Sequence, residues 1–160
     1  MSGRRQILFA WAACLLAARS QAIGIVQSCN VSATAVNFGV YNPLSGTPDD
    51  VTGTVTTSCQ VLLASLFVSW TVALSPGGSG NYGSRHMTQA TSSLSYNLYT
   101  DASHTSVWGD GSAGTTLLSN NVSLIVGFNT VNNTVYGRLF AGQDKPAGSY
   151  SDVITVTITY

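Results

Sequence analysis

The stretch Tyr150-Ser-Asp-Val-Ile-Thr-Val-Thr-Ile-Thr-Tyr160 closes the chain and decides its fold class. Successive side chains of a strand point to opposite faces, so the alternation here places apolar groups on one face and hydroxyls on the other. β-Branched residues dominate, and neither Gly nor Pro interrupts the run. The pattern predicts a long strand of an all-β domain, disturbed only at Asp152 and Val153. Its apolar stripe consists of Tyr150, Ile154, Val156, Ile158 and Tyr160.

This strand is the last one in the sequence, which leaves two interpretations of its neighbour. It is an ordinary edge or central strand of the domain, or its partner strand comes from another protein. The alternation alone fits both interpretations, because it reports which face is buried and not what lies beside the backbone.

The first 22 residues have the pattern of a secretory signal peptide. Arg4 and Arg5 are followed by the apolar run 7–18 and by Ser20-Gln21-Ala22, whose small-x-small order is typical of a cleavage site. The apolar run is too short to span a bilayer as a helix. The sequence therefore predicts a signal peptide over residues 1–22, export by the general secretory route, and one domain over residues 23–160.

The charge of the exported part excludes a nucleic-acid partner. Residues 23–160 contain three basic and six acidic residues and no Glu, a net charge of −3. Nucleic-acid-binding surfaces need clustered Lys and Arg. The low charge, together with abundant Thr, Ser, Asn and Gly, is typical of a secreted β protein.

Two cysteines, Cys29 and Cys59, remain once Cys14 leaves with the signal peptide. An even number of cysteines in an exported chain predicts disulfide bonding, and only one pairing is possible. Two cysteines and two distant histidines do not make a convincing metal site. No metal and no cofactor are expected.

Short alternating runs separated by turn residues fill the rest of the chain and predict an antiparallel β-sandwich. The run from Cys29 changes face near Val36, so that Val36, Phe38 and Val40 become the apolar positions. The pair Asn132-Asn133 lies in a predicted hairpin connection. Further strands are expected at Val51–Cys59, Leu66–Leu74, Leu94–Tyr99, Val122–Phe128 and Val135–Phe140.

Catalytic patterns are missing from the sequence. His86 and His104 are the only imidazoles, and no Gly-x-Ser-x-Gly stands between a strand and a helix. The Gly-rich run 77–80 lacks the Gly-Lys-Ser/Thr of a phosphate-binding loop. We therefore do not expect an enzyme.

The segment Trp108-Gly-Asp-Gly111 has two interpretations. Trp108 packs at the end of the sandwich while the following residues make a turn, or Trp108, together with Tyr82, contacts a sugar or a surface ligand. The structural interpretation is the commoner one for a tryptophan in a tight turn.

Eight short motifs occur in order between Cys29 and the C-terminus. They are Cys29-Asn-Val-Ser-Ala-Thr34, Val36-Asn-Phe-Gly39, Tyr41-Asn-Pro-Leu-Ser-Gly46, Arg85-His-Met87, Leu94-Ser-Tyr-Asn-Leu-Tyr-Thr-Asp101, Val107-Trp-Gly-Asp-Gly111, Val135-Tyr-Gly-Arg138 and Ala147-Gly-Ser-Tyr-Ser-Asp152. With these eight motifs in order, the chain resembles the spore coat protein U domain, which is shared with subunits of archaic chaperone–usher pili.

The resemblance implies an immunoglobulin-like, pilin-like sandwich that lacks its final strand. A periplasmic chaperone would lend a strand beside the C-terminal one, and another pilin subunit would later replace it at an outer-membrane usher. The implied function is a structural or adhesive subunit of a surface fibre, which passes through the periplasm to the cell surface. The five stripe residues match the groove-lining strand, and Cys29 and Cys59 match the disulfide of the family.

One feature departs from that family. A subunit in the middle of a fibre should carry a donor strand before its first cysteine, and Ile23–Ser28 offers only six residues with little alternation. The sequence therefore predicts a tip or capping subunit. The alternative is a free secreted carbohydrate-binding protein or a matrix or coat protein.

Overall fold

The computed structural model describes residues 26–62, 68–122 and 126–160, and its regular structure is almost entirely β-strand. A five-stranded sheet with the order β1-β2-β7-β5-β4 and a three-stranded sheet with the order β6-β3-β8 form the two layers of a sandwich. The predicted all-β, antiparallel sandwich is thereby confirmed. The strands are β1 Val26–Ala33, β2 Asp49–Val61, β3 Val68–Leu74, β4 His86–Gln89, β5 Ser92–Tyr99, β6 Leu118–Val122, β7 Gly127–Leu139 and β8 Val156–Thr159.

The core lies between the two sheets. β3 alternates strictly and buries Trp70, Val72 and Leu74. β5 buries Leu94, Tyr96 and Leu98. Burying each large apolar side chain stabilises the fold by about 1.5–3 kcal/mol, so these two strands carry much of the hydrophobic stabilisation. The indole N–H of Trp70 donates to the hydroxyl of Thr57 at 3.0 Å, which satisfies a polar group inside the core.

A disulfide joins Cys29 to Cys59, as cysteine parity predicts. The two residues are direct partners in the antiparallel pairing of β1 with β2. The bond therefore ties the first strand of the larger sheet to its neighbour.

The predicted hairpin at Asn132-Asn133 is wrong, because β7 runs straight through it. β7 pairs with β2 along all thirteen residues of each strand. The side-chain oxygen of Asn132 accepts a hydrogen bond from the hydroxyl of Thr56 at 2.8 Å, and the Asn133 amide donates to the Val55 carbonyl at 3.4 Å. Cross-strand hydrogen bonding thus overrides the turn preference of asparagine.

The predicted strand Val122–Phe128 is also wrong as a single element. Val122 ends β6 in one sheet, whereas Gly127 begins β7 in the other, with a positive φ of 108° that favours glycine. Residues 123–125 lie outside the described part of the chain, as does the predicted signal peptide, residues 1–22.

After β1 the chain crosses the inner face of the larger sheet without ladder pairing. Val36 and Phe38 are half-buried there, as the predicted change of face requires, but Val40 is 98% exposed and is not part of the apolar set. The crossing is close to the sheet because Gly53 and Gly137 lack side chains: a Cβ on either would lie within 2.8 Å of Val36. We call residues 34–43 the crossing segment.

Candidate functional site

An open groove lies between the crossing segment and the C-terminal residues 145–156. It has two parts, with volumes of about 710 Å³ and about 410 Å³. The two parts share lining residues and are therefore continuous. The shared residues are Ala35, Val36, Phe38, Met87 and Tyr150.

The C-terminal wall of the groove changes sheets partway along. Ser151 exchanges backbone hydrogen bonds of 2.9 and 3.2 Å with Thr88 of β4, in the larger sheet. From Thr155 onward the chain follows β3, in the smaller sheet, and Val156–Thr159 forms β8. The predicted long strand from Tyr150 to Tyr160 is thus wrong in extent, because only four of its residues form a regular ladder.

Asp152 sits where the wall changes sheets, and it explains the break in the sequence pattern. Its carboxylate accepts hydrogen bonds from the Tyr96 hydroxyl at 2.8 Å, the Gly78 N–H at 2.9 Å and the Val153 N–H at 2.8 Å. Burial, and then the bond to Asp152, raises the pKa of Tyr96 far above its usual range. The aspartate therefore faces inward, with hydrogen bonds to both of its oxygens.

Four of the five predicted stripe residues contact the core. Tyr150, Ile154, Val156 and Ile158 are half-buried and pack against it. Tyr160, by contrast, is 58% exposed, so the structure removes it from the packed stripe. That these side chains contact a partner strand is still a prediction.

Apolar surface is also exposed on β1, outside the residues that line the groove. Val31 lies on the inner face of β1, two residues from Cys29, yet it is 42% exposed. β1 is an edge of one sheet and β8 an edge of the other. Within the described ranges, no backbone hydrogen bond joins residues 34–41 to residues 150–159. Both walls therefore present unpaired backbone beside exposed apolar surface.

Arg85 is fully buried, does not line the groove and was not predicted as a functional residue. Its guanidinium donates to the Ser75 carbonyl at 2.8 and 3.2 Å, to the Asn97 side chain at 2.8 Å and to the Trp108 carbonyl at 2.8 Å. Burial lowers the pKa of Arg85. One sequence feature could have drawn attention to Arg85: residues 23–160 contain only three basic residues, and Arg85 is one of them.

Trp108 has the packing role and not the ligand-binding one. Its side chain has no exposed surface, and its indole N–H donates to the Val72 carbonyl at 2.9 Å. A ring in that position cannot stack on a sugar from solvent, so the structure contradicts the predicted ligand contact. Tyr82 is half-buried, and Arg85 lies 5.2 Å from the centre of its ring. A ligand contact by Tyr82 is untested.

The described residues contain neither a cluster of metal ligands nor a membrane-spanning helix. No three His, Cys, Asp or Glu side chains there stand close enough together to hold a metal ion. No described helix is long and apolar enough to cross a membrane.

The sequence of the chain is similar to a family model and to a known protein. The family model of the Spore Coat Protein U domain matches residues 14–157. Protein U from Myxococcus xanthus is 33% identical over 145 residues, which cover 83% of this chain and 78% of that protein.

The fold is also similar to that of a solved structure. This is the crystal structure of the CsuC–CsuE chaperone–tip adhesion subunit pre-assembly complex from the archaic chaperone–usher Csu pili of Acinetobacter baumannii. The match has a TM-score of 0.57 and 23% identity and covers 83% of this chain. The chain spans only 39% of the length of the matched chain. The likeness shows a shared fold.

Proposed function

Because this chain belongs to the Spore Coat Protein U domain family, we propose that it is a structural or adhesive subunit of a chaperone–usher surface fibre. The groove carries the proposal. It is open between two sheet edges, and its lining is largely apolar. The occupant is an extended strand from another protein, first from a periplasmic chaperone and then from a neighbouring subunit.

Strand addition suits this groove for two physical reasons. Backbone N–H and C=O groups on both walls would gain partners from one inserted strand, which is how extended segments add to open sheet edges. Alternate side chains of the insert would cover the apolar floor, which is otherwise an aggregation liability. The solved complex with the same fold contains a chaperone and a subunit, which supports this choice of partner class.

The proposed life cycle follows from this assignment. The chain is exported with removal of residues 1–22, meets its chaperone in the periplasm, passes through an outer-membrane usher and joins other pilin subunits at the cell surface. It performs no catalysis. Its contribution is a rigid, disulfide-linked body with one open groove.

A tip or capping position is the finer part of the proposal. Given cleavage after Ala22, the exported chain begins at Ile23, and β1 already starts at Val26 and pairs with β2. Three residues then precede β1, which reach at most about 10 Å. A strand of about ten residues spans roughly 33 Å. Such a subunit accepts a strand without donating one.

Two neighbouring residues that face opposite sides of the C-terminal wall allow a test of the groove by substitution. Ile154 lines it and contacts the core, whereas Val153 is 81% exposed. Ile154→Asp puts an unpaired charge on the apolar floor, which is strongly unfavourable. We expect this variant to lose co-purification with the chaperone and to be degraded in the periplasm.

Val153→Asp is the matched control, since it introduces the same charge one residue away on the outer side. It should co-purify with the chaperone as the unaltered chain does. Equal behaviour of the two variants would show that the groove face of this segment is not what the partner contacts.

The two alternative functions are not equally well supported. A free carbohydrate-binding protein loses its main candidate, because Trp108 is buried. A self-sufficient matrix or coat protein is still compatible with the family description. It would fold stably without a chaperone, which the open groove argues against.

A further inference from the structure

The groove carries opposite charges in its two parts. Lys145 is the one charged side chain among the described residues that line the larger part, and Asp152 is the one that lines the smaller part. Lys145 is exposed, and within residues 26–62, 68–122 and 126–160 its ammonium group has no salt-bridge partner. A basic group at one end of a largely apolar groove attracts an acidic group of whatever occupies it.

The two arginines in the described part of the chain already have hydrogen-bond or ion-pair partners. The guanidinium of Arg85 is buried and hydrogen-bonded, and that of Arg138 forms two bonds of 2.7 Å to the carboxylate of Asp50. Lys145 is thus the basic side chain available to a partner in this region. The carboxylate of Asp152, in the smaller part of the groove, is held in place by three hydrogen bonds.

β1, which leads into the crossing segment, and the C-terminal wall run in opposite directions. Successive antiparallel pairings lead from β1 through β2, β7, β5 and β4 to Ser151. These five steps make the C-terminal wall antiparallel to β1. A strand inserted between the walls is parallel to one and antiparallel to the other in either orientation, so backbone pairing alone selects its orientation weakly.

We propose that Lys145 selects the orientation and register of the inserted strand by pairing with an acidic residue at one end of it. The inference rests on the proposed function. The occupant is an extended segment with alternating apolar side chains and an Asp or Glu at the end that lies over Lys145. In the opposite orientation that acid lies away from Lys145, and the ion pair does not form.

The exposure of Lys145 to solvent limits how much affinity the ion pair can add. Ion pairs at exposed sites are modest and are screened by salt. A gain in affinity of about two-fold to five-fold at low ionic strength is expected from such a pair. An effect of this size biases register and orientation, while the apolar floor supplies most of the affinity.

Capped synthetic peptides test the proposal. The probes are an 11-residue peptide of alternating Val and Thr with Asp at its first position, its isomer with Asp at its last position, and the same two peptides with Asn. The full exported chain is refolded with a fluorescent neutral peptide, which the probes then displace. We expect one Asp isomer to compete about two-fold to five-fold better than its Asn counterpart at low salt, and the other isomer to show no gain.

Substitutions identify the residue responsible. Lys145→Gln should abolish the preference and Lys145→Glu should reverse it, whereas Asp144→Asn, next to Lys145 but outside the groove lining, should preserve it. A preference that survives in Lys145→Gln, or none in the unaltered chain, overturns the role of Lys145 alone. If no peptide binds, the strand-accepting groove itself is refuted together with this inference.

Discussion

Arg85 links three parts of the chain through one buried guanidinium. Its hydrogen bonds reach the carbonyl after β3, the side chain of Asn97 in β5 and the carbonyl of Trp108 in the following loop. These acceptors are oxygen atoms without formal charge, and the ring of Tyr82 lies against the cation. A buried cation is tolerated when its donors are used in this way.

Arg85→Met should destabilise the chain strongly. The buried acceptors would lose their donor, and each unsatisfied buried group costs about 1–3 kcal/mol. We expect the free energy of unfolding, measured by urea denaturation of the exported chain, to fall by at least about 3 kcal/mol.

Arg138→Met provides the comparison, because that guanidinium is partly exposed and pairs with a partly exposed Asp50. An exposed ion pair contributes about 0.2–1 kcal/mol. If the two substitutions cost the same, the network around Arg85 is not a major source of stability.

Asp101 should make stability depend on pH in acid. The hydroxyl of Ser103, and then the N–H and hydroxyl groups of Thr105 and the N–H of Ser106, hold the pKa of Asp101 far below its usual range. An unfolded aspartate has a pKa of about 3.9. The unfolded chain therefore binds this proton first, and the stabilisation is complete above about pH 4 and is lost as the pH falls.

Asp101→Asn removes this dependence. Urea denaturation between pH 6 and pH 2 should show a shallower decline of stability with acid for the variant than for the unaltered chain. Asp144→Asn, which removes an exposed carboxylate elsewhere in the chain, is the control for the loss of one negative charge. Parallel slopes for Asp101→Asn and the unaltered chain would refute the role of this carboxylate.

At the level of elements, the groove exists because the backbone pairing of β1 and that of the C-terminal wall are both interrupted. β1 stops at Ala33, after which the crossing segment lies on the inner face of β2 and β7. The C-terminal wall is divided between two sheets, so β8 keeps only four residues. Each departure leaves unpaired backbone along one wall.

Gly137 sets how closely the crossing segment approaches the sheet. A Cβ at this position would lie 2.6 Å from a methyl group of Val36 and 3.2 Å from the ring of Phe38. Gly137→Ala should therefore destabilise the fold by about 1–3 kcal/mol, as overpacking does. It should also weaken binding of a donor peptide, because one wall of the groove moves.

Val36→Ala in the Gly137→Ala background should restore part of the lost stability and peptide binding. Gly46→Ala is the control, since nothing lies within 4 Å of its added methyl group. No rescue by Val36→Ala would mean that the cost of Gly137→Ala arises in the strand itself.

For the whole molecule, the proposed capping role predicts behaviour in the absence of partners. Given a mature start at Ile23, determined by mass spectrometry of the exported protein, the purified chain should accept a donor peptide but form no homopolymer over days at high concentration. Electron microscopy of the concentrated sample distinguishes irregular aggregates from fibres. Regular fibres built from this chain alone would refute the capping role.

Period-two alternation determined much of the architecture directly from the sequence. It predicted the all-β class and strands at the positions of β3 and β5, and cysteine parity predicted the Cys29–Cys59 bond. The inward positions of Ile154, Val156 and Ile158 also followed from it. These properties are local, because the side-chain period of a strand and the export of a chain are visible within a few residues.

Only the tertiary structure decided where the strands end and what their polar residues do. Asn132-Asn133 continues a strand because β2 lies beside it, and Asp152 divides the terminal stretch because Tyr96 and Gly78 donate to its carboxylate. Arg85 and Trp108 are buried and hydrogen-bond to residues distant in sequence, Asn97 for Arg85 and Val72 for Trp108. Long-range hydrogen bonds and packing outweigh local preferences of this size, so the groove itself is a property of the assembled fold.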